Sequence, residues 1–85
     1  MRTGLNTDVE YSGRMYHVQT EDGGMGNPVV LTRLFSGGVL LSSRKTSYVY
    51  LMDREDLETV IVSLMEDQHK AVIEDLRKGK SDGKE

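Results

Sequence analysis

The chain has no cysteine and no tryptophan, one proline and one phenylalanine in 85 residues. Without cysteine there is no disulfide framework, no thiolate metal site and no cysteine nucleophile. That absence, with no secretory signal after Met1-Arg2-Thr3, suits a reducing cytoplasmic compartment. No run of 18 apolar residues exists, so no segment reads as a membrane-spanning helix. Two histidines, His17 and His69, far apart in sequence, make a poor start for a zinc site, which takes three or four ligands. A net charge of -3 disfavours nucleic acid as the main partner.

What is present is enough for one small core. Leu, Val, Ile and Phe number 21, about a quarter of the chain, above the range of disordered sequences. A single domain over 1–79 and a polar tail over 80–85 are expected. Strand signals fill residues 5–51 and a helix pattern fills 53–78. The fold class implied is α+β: two antiparallel β-hairpins in one sheet, then one long C-terminal helix packed across it.

Ser12-Gly13 reads as the centre of a tight hairpin. Tyr11 then pairs with Arg14, Val9 with Tyr16, and Thr7 with Val18. The faces separate cleanly: Leu5, Thr7, Val9, Tyr11, Arg14, Tyr16, Val18 and Thr20 on one, Asn6, Asp8, Glu10, Met15, His17, Gln19 and Glu21 on the other. A second hairpin turns at Gly37-Gly38, with Phe35 opposite Leu40, Leu34 opposite Leu41 and Thr32 opposite Ser43. Here the faces do not separate. Val30, Thr32, Leu34, Val39, Leu41 and Lys45 share one side. Val29, Leu31, Arg33, Phe35, Leu40, Ser42 and Arg44 share the other. Either the turn exceeds two residues or both faces are covered.

Asp53 has the character of a helix N-cap, with Met52 and Leu57 as a hydrophobic staple and Gly79 as the stop. Arg54 to Lys78 would span roughly 37 Å, more than a strand of five or six residues covers. Its apolar surface forms two stripes: Leu57, Val60, Ile61, Leu64, Gln68 and Ala71; then Val62, Met65, His69, Ile73 and Leu76, with Val72 between. The arc is about 220°, beyond the ~100° of one core-facing side. Either the helix is buried on two sides within its own domain, or the second stripe meets another chain. A symmetric homodimer, or a partner protein's helix, is the leading expectation for that stripe. Phe35 and Leu40, on the apolar side of the second hairpin, would join the same partner-binding surface.

Catalytic chemistry is hard to find. His17 falls opposite Asp8 on the wet face, more simply a cross-strand contact than a metal or base site. His69 has Met65 and Ile73 at the helical neighbour positions, so it reads as a packed or interfacial histidine. Ser36, Ser42 and Ser43 are turn and strand residues. The glycine-rich segment 22–27 lacks the lysine ending of a phosphate loop and precedes a strand. No enzyme, cofactor or metal is expected. Arg33, Arg44 and Lys45, with Tyr48 and Tyr50 nearby, form a basic cluster that could track a nucleic-acid backbone. The alternative is charge protecting an edge strand.

The runs Asn6-Thr7-Asp8-Val9-Glu10-Tyr11 and Tyr16-His17-Val18-Gln19-Thr20-Glu21-Asp22-Gly23, then Asn27-Pro28, Gly37-Gly38 and Lys45-Thr46-Ser47-Tyr48, resemble a family of small bacterial proteins with no established activity. The resemblance covers nearly the whole chain and transfers no catalytic residue. More faintly, the chain resembles small regulatory adaptors that work with a Ras-like GTPase in bacterial polarity and motility. The second resemblance implies a protein that binds a partner.

Overall fold

The computed structural model describes residues 4–79; the polar tail expected over 80–85 lies outside them. Four strands follow in order: β1 (Leu5–Tyr11), β2 (Arg14–Asp22), β3 (Val29–Ser36) and β4 (Val39–Ser47). A 3-10 turn, Val49–Leu51, leads to helix α1, Leu57–Arg77. The sheet is antiparallel in the order β1-β2-β3-β4. The α+β architecture read from the sequence is therefore the observed one.

Both hairpin turns have positive φ at both central residues: Ser12 (52°) and Gly13 (80°), Gly37 (59°) and Gly38 (80°). This backbone matches the right-handed strand twist of a two-residue hairpin. The first register is the expected one, Tyr11 opposite Arg14 and Thr7 opposite Val18.

The second hairpin departs from the expected ladder for a local reason. Phe35 does oppose Leu40, but Leu34 opposes Ser42, not Leu41, and Thr32 opposes Arg44, not Ser43. Leu41 is the extra residue of a β-bulge. One inserted residue exchanges the faces of everything beyond it. Ser42, Arg44 and Thr46 turn toward the helix side with Leu34, Thr32 and Val30, whereas Ser43 and Lys45 join Arg33 and Leu31 on the open side. The unseparated faces thus resolve into a buried side and a solvated one.

The helix starts later than expected. The N-cap is Asp56, and its side chain caps nothing. Its carboxylate instead takes Arg54 Nε and Nη2, at 2.7 and 2.8 Å. That hydrogen bonding holds the Asp56 carboxyl below its usual range. Asp53 therefore is not the cap, and the Met52–Leu57 staple is out of register. Both side chains nevertheless pack on the same core cluster. The helix ends as expected, with Gly79 at φ 78° and its N–H donating to Leu76 O at 3.0 Å.

With 21 residues, α1 spans about 31 Å. The nine residues of β2 and of β4 each span about 30 Å. There is no overhang, because the strands are longer and the helix shorter than the sequence pattern implies. The helix lies chiefly over β2, flanked by β1 and β3. Its cover forms two clusters: Val9, Val18, Leu34, Val72 and Leu76 toward the hairpin turns, and Val30, Tyr48, Ile61 and Met65 toward the helix start.

Candidate interaction surface

A polar belt runs between the two apolar clusters and accounts for the helix's second stripe. Each strand contributes one threonine: Thr7, Thr20, Thr32 and Thr46. Two adjacent helix residues tie them together. His69 Nε2 lies 2.8 Å from Thr7 Oγ1, and His69 Nδ1 lies 2.8 Å from Thr20 Oγ1. Thr20 and Thr32 hydroxyls meet at 2.7 Å. Gln68 Nε2 donates to Thr32 Oγ1 (3.0 Å), Val30 O (3.2 Å) and Arg44 O (3.0 Å), while Thr46 Oγ1 donates to Gln68 Oε1.

Burial pushes the His69 imidazole below its usual pKa, and His17 across the sheet adds to the effect. A neutral ring has one donor and one acceptor. The assignment in which the buried hydroxyls of Thr20 and Thr32 both donate runs from Thr32 O–H to Thr20, from Thr20 O–H to Nδ1, and from Nε2–H to Thr7. Buried polar groups need such pairing to avoid a cost of ~1–3 kcal/mol each.

The belt corrects the proposed partner stripe. Met65, His69 and Leu76 are 3%, 8% and 2% exposed and face their own sheet. Ile73 is half-buried against the same core, and only Val62 stands exposed. The reason is geometric: both stripes lie within one broad face that a four-stranded sheet is wide enough to cover. The histidine is packed against its own sheet, not placed at an interface. The sequence signal for the linking threonines is the place of Thr7 and Thr20 on the otherwise apolar face of the first hairpin.

The other exposed apolar side chains fall into two groups: Met25, Val49 and Tyr50 in the loop before β3 and the 3-10 turn, and a larger group at the second hairpin. Val39 is 59% exposed, Leu40 52% and Leu41 39%, all at the second hairpin's tip. Met15 is 57% exposed beside them, its carbonyl accepting a hydrogen bond from Ser36 Oγ at 3.2 Å. Phe35 opposes Leu40 on the open face and lies 6.4 Å, ring to ring, from His17. Of the sequence-assigned partner residues, Phe35 and Leu40 thus come together, and the helix residues do not join them.

His17 sits opposite Asp8 as expected, with Nδ1 2.8 Å from Asp8 Oδ1 and Nε2 3.3 Å from Asn6 Oδ1. Among the described residues no three His, Cys, Asp or Glu side chains gather as a metal site. The basic cluster is divided between the faces, and the bulge sets which cation goes where. Arg33 and Lys45 are on the open face, but Arg44 turns to the helix side and pairs with Asp75 at 2.7 Å. Tyr48 is fully buried and donates its hydroxyl to Asp22 Oδ1 at 2.5 Å, so it offers no stacking ring. The three cations therefore do not form the single stripe that backbone tracking needs.

A separate cavity of about 640 Å³ lies where the 22–26 loop meets the helix start, with Asp22, Tyr48, Glu58 and Ile61 in its wall. No helix among the described residues is long and apolar enough to cross a membrane. Scans of protein-family models, curated proteins and solved structures find no match to the chain.

Proposed function

We propose that this protein is a non-enzymatic protein-interaction module of the bacterial cytoplasm, and that it meets its partner through the second hairpin. The observation that carries the reading is the gathering of Met15, Phe35, Val39, Leu40 and Leu41 at one end of a sheet whose other large apolar residues are mostly covered by the helix. An apolar patch rimmed by polar residues is the usual mark of such a surface. Self-association, if it occurs, uses this hairpin, since the helix stripe is occupied by the core. An adaptor acting on a Ras-like GTPase is one form such a module takes, and it rests on sequence resemblance alone.

The test is affinity capture from the source cell with wild type and a Val39→Glu/Leu40→Glu double variant. Both positions are exposed, so the variant is expected to keep its melting temperature. A specific partner retained by wild type and lost by the variant supports the reading. Identical capture by both, or none by either with no self-association in light scattering, rejects it.

A further inference from the structure

The charges are distributed unevenly along the chain. Residues 27–52 contain Arg33, Arg44 and Lys45 and no acidic residue. The other 59 residues hold eight basic and fourteen acidic residues, a balance of -6. The acid-free segment is the β3–β4 hairpin with its flanks. Its outer strand, β4, ends the sheet and has no buried residue along its length. Among the described residues no strand lies beyond it. Such an edge presents a row of backbone donors and acceptors to any extended chain.

We propose that β4 takes up an extended segment of a partner protein as a fifth strand, with acidic residues beside Arg44 and Lys45 and an apolar end over Leu40 and Leu41. This rests on the interaction-module reading and states the chemistry of its partner. Strand addition draws affinity from the backbone and selectivity from side chains at alternate positions. Along β4 the apolar residues come first and the basic ones last, so an antiparallel partner reads acidic, then apolar. Arg44 and Lys45 point to opposite faces, so two consecutive carboxylates can meet one each. Arg44 already binds Asp75, but a guanidinium has five donors and can hold a second carboxylate.

The same pattern argues against a second copy as the occupant. Two β4 strands in parallel set Lys45 beside Lys45. In an antiparallel pair about Ser43, the basic residues of both copies crowd the middle of the ladder. Like charges there are destabilising. A nucleic acid offers no strand backbone and would meet cations split between two faces.

The experiment titrates the whole chain with a fluorescein-labelled pool of nonapeptides. Their first half carries two adjacent Glu or Asp, and all other positions vary among Val, Ile, Leu and Thr. Comparison pools have Lys for the acids, or Pro at the centre. A single-stranded oligonucleotide of similar length serves as the nucleic-acid probe. Anisotropy reads binding, and hydrogen exchange by NMR reads the β4 amides. The acidic pool is expected to bind, to slow exchange of outward β4 N–H groups, and to lose affinity several-fold with Lys45→Glu. The Lys and Pro pools are expected to bind much more weakly. Absence of binding by the acidic pool, equal binding by the Pro pool, or equivalent β4 protection by the oligonucleotide overturns strand addition. So does protection that appears with protein concentration alone, which would identify a second copy. Binding that perturbs Met15, Phe35 and Leu40 without protecting β4 amides also overturns it, and leaves the interaction-module reading standing.

Discussion

Single residues decide most in the threonine belt. Thr32 accepts from Gln68 and contacts Thr20, with 1% of its surface exposed. Thr32→Val keeps the shape and removes the hydroxyl, taking from Thr20 its hydrogen-bond donor and from Gln68 one of its three acceptors. The expected loss is about 1–3 kcal/mol in urea unfolding. Thr46→Val, at a half-buried end of the belt, is expected to cost less. His69 makes the belt sensitive to pH. Its folded pKa lies below the unfolded value of about 6.5, so the unfolded state takes up the proton first as pH falls. The His69 contribution is therefore complete above that value and declines as pH drops below it. Protonation also gives Nδ1 a hydrogen and forces the Thr20–Thr32 hydroxyls to reverse. Urea midpoints from pH 7.5 to 5.5 are expected to fall more steeply for wild type than for His69→Gln. Parallel slopes would contradict this assignment.

At the level of elements, the bulge and the helix ends explain both what was legible and what was not. Alternation of side chains read the first hairpin residue for residue, because one of its faces is dry and the other wet. The same logic stalled on the second hairpin, since an inserted Leu41 looks like any other leucine until strands are paired. Asp53 and Asp56 are equally good caps on paper; the helix starts after Asp56, whose carboxylate is held by Arg54. The helix's two stripes are legible as apolar, but that one sheet covers most of both is not, because alternation does not reveal how long the strands run. Of the candidate surface, Phe35 and Leu40 were legible; its concentration at the hairpin tip was not, since that depends on which residues the helix leaves uncovered. Deleting Leu41 is expected to restore a regular two-residue hairpin, as Phe35–Leu40 and Leu34–Ser42 would then be successive pairs. The variant should fold, yet its straighter edge should associate more at high concentration in sedimentation, because bulges help keep edges from pairing. Gly79→Ala, forced to φ near 78°, is expected to lose about 1 kcal/mol and fray the last helical turn.

The molecule as a whole has two small apolar clusters bridged by one helix and separated by hydrogen bonds. At the usual per-residue figure its total stability is roughly 4–13 kcal/mol. Substitutions in different clusters share few neighbours, so their costs should add. Val72→Ala and Ile61→Val, combined, are expected to match the sum of the single losses within about 0.5 kcal/mol. A shortfall in the double-mutant cycle would show the belt transmitting strain between them. The acid-free hairpin has a consequence at this scale as well. A negative chain with a positive hairpin is an electric dipole, so its approach to a charged body has a direction. Far away, the net charge of -3 repels an acidic partner. Nearby, the field turns the molecule until the hairpin leads, and encounters in any other orientation are rejected before contact.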